Sequence, residues 1–185
     1  MDLAEWESRY RAQPAAALEA TPSPLLVATA EAMPPGRALD LACGSGRHAL
    51  WLAARRWQVT AVDGAPAAIS LLLSEAARRE VTLDARVADL EKFEFPIEPN
   101  VYQLIASLYY FERNLLPAMR EGVTAGGAVI IIALQADPER PNSRFRTSPG
   151  ELRSYFEGWE ILHDREGPDA SGHRVAEIVA RRPVR

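Results

Sequence analysis

The chain is poorest in cysteine: Cys43 is the only one in 185 residues. One thiol excludes an intrachain disulfide and any metal site built on cysteines, and it suits a reducing cytosol. Long hydrophobic runs are missing too, since the longest, Ala128 to Leu134, is far too short to span a bilayer. The start, Met1-Asp2-Leu3-Ala4-Glu5-Trp6, lacks the basic end and apolar middle of a signal peptide. There is no positive excess: 21 Lys and Arg face 25 Asp and Glu, a net charge of −4. That balance gives no general attraction to nucleic acid or to an anionic membrane. Internal repeats, linkers and low-complexity stretches are absent. The expectation is a cytoplasmic protein with a single domain over 1–185, in which helices within 1–34 precede a core of 35–185.

What is present alternates. Leu3, Trp6 and Tyr10 at helical spacing predict a short amphipathic helix over 2–12. Ser23-Pro24 reads as an N-cap and first turn, and Pro34-Pro35-Gly36 as a stop, bracketing a second helix. Ala38 to Ala42 reads as a buried strand, Gly44 and Gly46 as a tight turn, and Ala49 to Ala54 as the helix that follows. Gln58 to Asp63 is a second strand. Ile69, Leu72, Leu73 and Ala76 give the next helix its buried stripe. Val81 to Val87 predicts a third strand and Val101 to Ser107 a fourth. Asn114 is placed to cap the helix through Leu115, Leu116 and Met119. Thr124 to Gly127 reads as a turn before the strand Ala128–Ala133, which is apolar on both faces, as in a parallel sheet. Ser148-Pro149-Gly150-Glu151 carries helix-start signals. Trp159–Leu162 and Val175–Ala180 read as an antiparallel hairpin. Strand and helix in this order predict a doubly wound α/β sheet.

The turn after the first strand aims backbone N–H groups, at the positive end of a helix dipole, towards one spot. Gly44-Ser45-Gly46-Arg47-His48-Ala49 fits the loose dinucleotide pattern, with Asp63 at a plausible distance to bind a ribose. Three features point away from NAD. Asp40 stands inside the first strand, where a carboxylate can receive a cationic amino group. Asp89, at the end of the third strand, suits an adenine edge. The terminal hairpin replaces the second mononucleotide half that an NAD-binding sheet needs.

With these residues in view, the chain resembles the class I S-adenosylmethionine-dependent methyltransferases. Leu39-Asp40-Leu41-Ala42-Cys43-Gly44-Ser45-Gly46-Arg47 is similar to that family's first motif, and Val59-Thr60-Ala61-Val62-Asp63 to its second. Leu104 to Tyr110, Leu115-Leu116-Pro117 and Gly126-Gly127 are similar to its later motifs. Arg144-Phe145, Pro149 to Leu152 and Trp159 to Leu162 resemble small bacterial members, close to the tellurite-resistance and thiopurine-type enzymes. The resemblance implies a Rossmann-like seven-stranded, mostly parallel sheet with helices on both faces and an antiparallel C-terminal strand. It implies S-adenosyl-L-methionine as cofactor. Asp40 would bind the methionine amino group, and backbone at Ala42, Gly44 and Gly46 would line the methionine and ribose. Asp63, with Gly64 beside it, would take the ribose hydroxyls, Asp89 and Leu90 the adenine, while Ser107 would lie near the transferring methyl group. Ala42 stands where many members have a glycine.

A sulfonium methyl needs alignment and exclusion of water more than acid–base help, and aromatic faces can stabilise the cation. Tyr109, Tyr110 and Tyr10 are the candidates, whereas Trp6 reads as helix packing. Arg9 could pair with the cofactor carboxylate. His48 reads as a residue near the surface, His163 and His173 as ordinary hairpin residues, and Cys43 as a small buried side chain. Arg113, Arg144 and Arg146 could meet an anionic substrate or be solvated. The Asn/Asp-Pro-Pro-Tyr motif of amino-methylating DNA enzymes is missing, C5 chemistry on cytosine needs a second cysteine, and no basic stripe is present. The expected partner is therefore a small-molecule methyl acceptor, not nucleic acid or membrane, with the chain a monomer or weak homodimer and no metal required. An NAD(P)-binding oxidoreductase and a non-catalytic S-adenosylmethionine-binding protein are the competing readings.

Overall fold

The computed structural model describes residues 2–12, 21–136 and 144–184; expectations falling on 13–20 and 137–143 lie outside the described residues. Two compact units, Met1–Pro96 and Ile97–Arg185, are taken in turn.

The first unit holds α1 (Leu3–Ala12), α2 (Pro24–Glu31), β1 (Arg37–Leu41), α3 (Arg47–Ala53), β2 (Gln58–Asp63), α4 (Pro66–Arg78), β3 (Asp84–Val87) and a 3-10 turn, Leu90–Lys92. β1 pairs in parallel with β2, from Arg37 opposite Gln58 to Leu41 opposite Val62, and β2 pairs in parallel with β3. The apolar run read as the first strand is buried at Ala38, Leu39 and Leu41, and Val59, Ala61 and Val62 of β2 are buried with them.

Three expectations change here. The third strand is four residues long, not seven, because β3 lies at the end of the strand order and leaves Val87 exposed. Leu73 is 48 % exposed. At 100° per residue, Ala68, Ile69, Leu72, Glu75 and Ala76 share one buried arc, and Leu73 falls beyond its edge. Ser23 makes no side-chain cap; only its carbonyl accepts, from the Val27 N–H at 3.1 Å. Arg78 and Arg79, at the end of α4, both pair with the buried Glu75 carboxylate at 2.6 Å. Those two hydrogen bonds draw its pKa down to about 2.

The second unit holds β4 (Tyr102–Leu108), a 3-10 turn (Arg113–Leu115), α5 (Leu116–Gly122), β5 (Val123–Leu134), α6 (Glu151–Ser154), β6 (Glu160–Pro168) and β7 (Arg174–Arg181). β4 and β5 are parallel, and β7 is antiparallel to both β5 and β6. β5 is buried without a break from Gly127 to Ala133, as its two-faced apolarity predicts. The turn expected at Thr124–Gly127 is instead part of β5. Its glycines build an irregularity: Gly126 takes φ +76°, and the register with β4 shifts between Tyr102 and Leu104. The cap before α5 is not Asn114. The Glu112 carboxylate accepts from the Asn114 N–H at 3.2 Å and from its side-chain amide at 3.1 Å. Gly150, in the left-handed region, stands at the N-cap of α6, and Ser148 contributes its backbone N–H to the Glu151 carboxylate at 2.8 Å.

The seven strands follow the order β3-β2-β1-β4-β5-β7-β6. This is the expected Rossmann-like, mostly parallel arrangement with an antiparallel C-terminal strand. Among the described residues, no helix is long and apolar enough to cross a membrane.

Candidate active site

Asp40 in β1 is 1 % exposed. It accepts a hydrogen bond from the Ala49 N–H at the start of α3, while its Oδ2 has no partner among the described residues. Burial, reinforced by the Asp63 charge, lifts its pKa to about 7, against the pull of Arg47 and the Ala49 N–H. A buried carboxylate with an unused oxygen is costly unless a donor or cation meets it. The chain places that group where the sequence singled it out.

The backbone beyond β1 turns sharply. Ala42, Gly44 and Gly46 take φ of +54°, +57° and +86°. An L-residue in this region is strained by about 1–2 kcal/mol, which accounts for a glycine being common at the position of Ala42. A Cβ on Gly46 would overlap Leu72 Cδ1, so only glycine lets α4 come this close. The Asp63 carboxylate ties the turn to the end of β2, accepting from the Gly44 N–H and the Ala65 N–H, each at 2.8 Å. Burial raises the Asp63 pKa and those two N–H groups oppose the rise. Cys43 lies in the turn as a buried thiol, its pKa pushed up by burial and by the neighbouring Asp40 and Asp63 charges.

Helix α1 lies over this turn although it buries none of its own residues. A Cβ built on Gly44 would stand 2.5 Å from Tyr10 Oη, and one on Gly64 would stand 2.7 Å from Leu3 Cδ1. Glu7 accepts from the Ala67 N–H at 2.8 Å, at the N-terminal end of α4, where the helix dipole favours a carboxylate. Trp6 stacks on Tyr10 with ring centroids 5.9 Å apart, and the Arg9 guanidinium lies 5.1 Å from the Trp6 ring centre. Burial and the Asp63 charge push the Tyr10 phenol up, so it stays protonated. Asp89 caps the 3-10 turn through the Glu91 N–H at 2.9 Å and pairs with Lys92 at 3.0 Å, which holds its pKa low, while Leu90 is buried.

His48 corrects the sequence reading. It is 4 % exposed rather than near the surface, and its Nε2 has no partner among the described residues. Burial, with Arg47 beside it, lowers its pKa to about 3. The helical period does not reveal which side of the first turn of α3 is covered.

In the second unit Ser107, at the carboxyl end of β4, is buried and donates to the Tyr110 carbonyl at 2.9 Å. Tyr109 is 40 % exposed with φ +64°, and its hydroxyl donates to Asp169 Oδ2 at 3.3 Å. Tyr110 lies 6.0 Å from Phe145, ring centre to ring centre. The arginines weighed for an anion have protein partners. Arg113 grips Glu151 at 2.6 and 2.9 Å and also donates to the carbonyls of Arg144 and Arg146. Arg144 pairs with Glu112, and Arg146 donates to the Gln135 carbonyl at 2.7 Å. His163 meets Glu177 at 2.9 Å, and His173 is exposed. Gln135 and Thr147, both buried, were not singled out by sequence; no local pattern brings them together.

Residues 16–177 match the family model described as tellurite resistance protein TehB. The chain is 24% identical over 180 residues to the probable S-adenosyl-L-methionine-dependent methyltransferase TehB of Haemophilus influenzae, covering 85% of this chain and 61% of that protein. Hemagglutinin 1 of Eikenella corrodens is 30% identical over 159 residues, covering 81% of this chain and 51% of that protein. The 23S rRNA (uracil(1939)-C(5))-methyltransferase RlmD of Bordetella pertussis is 32% identical over 124 residues, 66% of this chain and 25% of that protein. The chain thus spans less than two thirds of each of these relatives. The crystal structure of TehB from Haemophilus influenzae superposes with a TM-score of 0.75 at 24% identity, over 87% of this chain and 62% of that one. The family match runs from before the Asp40 strand, through the glycine turn and into the terminal hairpin, over more than half of the chain: the chain belongs to the TehB family.

Proposed function

We propose that the chain binds S-adenosyl-L-methionine and transfers its methyl group, by direct displacement, to a small-molecule acceptor. The observation that carries this reading is Asp40, a buried carboxylate with one unmatched oxygen beside a glycine-built backbone cradle. An amino group brought there would turn a costly isolated charge into a buried ion pair. The cofactor, when bound, supplies an already activated sulfonium methyl.

The residues of the chain have the following roles in the proposal. Asp40 holds the methionine amino group, and Ala42, Gly44 and Gly46 offer backbone to the methionine and ribose. Asp63 keeps unused lone pairs on both oxygens after accepting its two N–H groups, enough for the ribose hydroxyls. Gly64 stands beside Asp63 on the ribose side, Asp89 and Leu90 line the adenine side, and Tyr10 and Arg9 of α1 lie over the entrance. Ser107, fastened to the Tyr110 carbonyl, serves as a fixed wall near the reacting centre rather than as a base. Tyr109 and Tyr110 supply aromatic faces and help exclude water. On this reading the whole chain is one domain, acting as a monomer or weak homodimer in the cytoplasm. A C5 attack on uracil needs a thiolate nucleophile, and the one cysteine is buried in the turn with its pKa raised. A small acceptor is therefore preferred to RNA.

Thermal shift with two ligands tests the cofactor. S-adenosylhomocysteine at a hundredfold excess over its dissociation constant stabilises by about 2.7 kcal/mol, or roughly 5–10 °C for a domain of this size. NAD should leave the midpoint unmoved, and Asp63→Ala should remove most of the shift. A shift with NAD alone restores the oxidoreductase; a shift with S-adenosylhomocysteine but no turnover across an acceptor panel favours a binding protein.

A further inference from the structure

We propose that the Gln135 amide and the Thr147 hydroxyl form the polar end of the acceptor site and select an uncharged amide group, a primary carboxamide or lactam, on a planar acceptor. This rests on the methyltransferase reading above.

Gln135 is 1 % exposed and Thr147 is fully buried. Gln135 Oε1, Gln135 Nε2 and Thr147 Oγ1 have no hydrogen-bond partner among the described residues. Buried polar atoms are bonded with few exceptions, so three of them on two facing residues call for a reason. The backbone of both is fixed. Thr147 N–H donates to the Leu134 carbonyl at 2.9 Å, the Ala136 N–H donates to the Thr147 carbonyl at 2.8 Å, and Gln135 stands opposite Thr147 in a parallel bridge. Opposed residues of a bridge carry their side chains on one face. The amide and the hydroxyl therefore stand side by side just past the carboxyl end of β5, yet do not satisfy each other.

The pair fixes the chemistry of what it can hold. Gln135 presents one donor and one acceptor on the same planar edge. An amide presents the complementary N–H and C=O, so the two close a ring of two hydrogen bonds, with Thr147 free to give or accept a third. A carboxylate offers only acceptors and would face Gln135 Oε1 lone pair to lone pair. The cations around the pair are engaged within the protein: Arg113 and Arg144 face Glu151 and Glu112, and Arg146 donates to the Gln135 carbonyl at 2.7 Å, so the benzoate arm of the test reads whether they draw an anion instead. Flat surface is at hand: Phe145, two residues before Thr147, lies beside Tyr110, which follows β4 as Gln135 follows β5. Arg113 holds the segment carrying Thr147 through the carbonyls of Arg144 and Arg146 at 2.6 and 2.8 Å, so a ligand enters by loosening those bonds.

The test titrates benzamide and benzoate into the protein saturated with S-adenosylhomocysteine, followed by ligand-observed NMR. Benzamide should bind at least about tenfold more tightly than benzoate. Gln135→Leu and Thr147→Val should each weaken benzamide by about tenfold or more, with S-adenosylhomocysteine affinity kept and no fall in melting temperature, since neither group has an internal partner to lose. Failure of the wild type to bind benzamide, equal binding of benzoate, or unchanged binding by both variants overturns the proposal. So does a lowered melting temperature with benzamide binding intact, which marks a structural pair. If S-adenosylhomocysteine does not bind, the cofactor reading falls, and the same titration of the free protein decides this one.

Discussion

Asp40→Asn should leave the protein folded, raise the thermal midpoint of the free form at pH 8, and weaken S-adenosylhomocysteine by a factor on the order of a hundred or more. Removing one member of a buried ion pair costs about 3–5 kcal/mol, and a factor of ten corresponds to about 1.4 kcal/mol. Without ligand the same charge is a burden, because Oδ2 has no partner among the described residues. The linkage makes this visible. The folded pKa of Asp40, about 7, lies above the unfolded value near 3.9. The folded chain therefore holds a proton that the unfolded chain has released, and stability falls as pH rises from about 4 to about 7. His48 acts in the opposite sense. Its folded pKa near 3 lies below the unfolded value near 6.5, so stability rises with pH from about 3 to 6.5 and is lost as pH falls through that window. In the free wild-type protein these two contributions thus offset each other between about pH 4 and 6.5. Asp40→Asn should uncover a rising profile and His48→Gln a falling one, measured by denaturant titration across pH. Two parallel profiles would remove both assignments.

Gly46→Ala should lower stability by about 2–5 kcal/mol, roughly 4–20 °C in the midpoint. Two costs add. A Cβ at φ +86° carries the left-handed penalty of about 1–2 kcal/mol. It would also overlap Leu72 Cδ1 and sit 3.0 Å from Leu72 Cγ, and overpacking costs about 1–3 kcal/mol. Leu72 is fully buried, so it cannot swing aside into water. A double-mutant cycle separates the two. Combining Gly46→Ala with Leu72→Ala should cost less than the sum of the single changes, and the shortfall measures the overlap alone. Additive effects would mean that backbone strain accounts for the whole loss.

The glycine turn of the candidate site and its two buried carboxylates were legible because their signals are local. A buried strand, a glycine turn and a helix start lie within thirteen consecutive residues, and Asp40 stood out as a charge in an apolar run. Asp63 was legible for the same reason, at the end of the neighbouring strand. Burial of a particular helix face was harder to read, as Leu73 and His48 show: a residue's phase relative to the rest of the fold is set by packing partners far along the chain. Capping was misread at Asn114 because two polar residues in one short stretch compete, and the longer Glu112 carboxylate reaches the N–H groups. The pair proposed for the acceptor was least legible. Gln135 and Thr147 are twelve positions apart and meet through a single bridge, and no periodicity announces such a pairing.

Helix α1 meets Gly44 through Tyr10, Gly64 through Leu3 and the Ala67 N–H through Glu7, with no buried residue of its own. If the proposed methyl transfer holds, that makes α1 a gate on the spent cofactor. If S-adenosylhomocysteine leaves only when these contacts part, its departure sets the steady-state rate. Rapid-quench experiments should then show a first-turnover burst followed by a slower linear phase. Glu7→Gln, which weakens the hold on the Ala67 N–H, should steepen the linear phase and leave the burst rate as it was. A linear time course from the first turnover would place the slow step in chemistry instead.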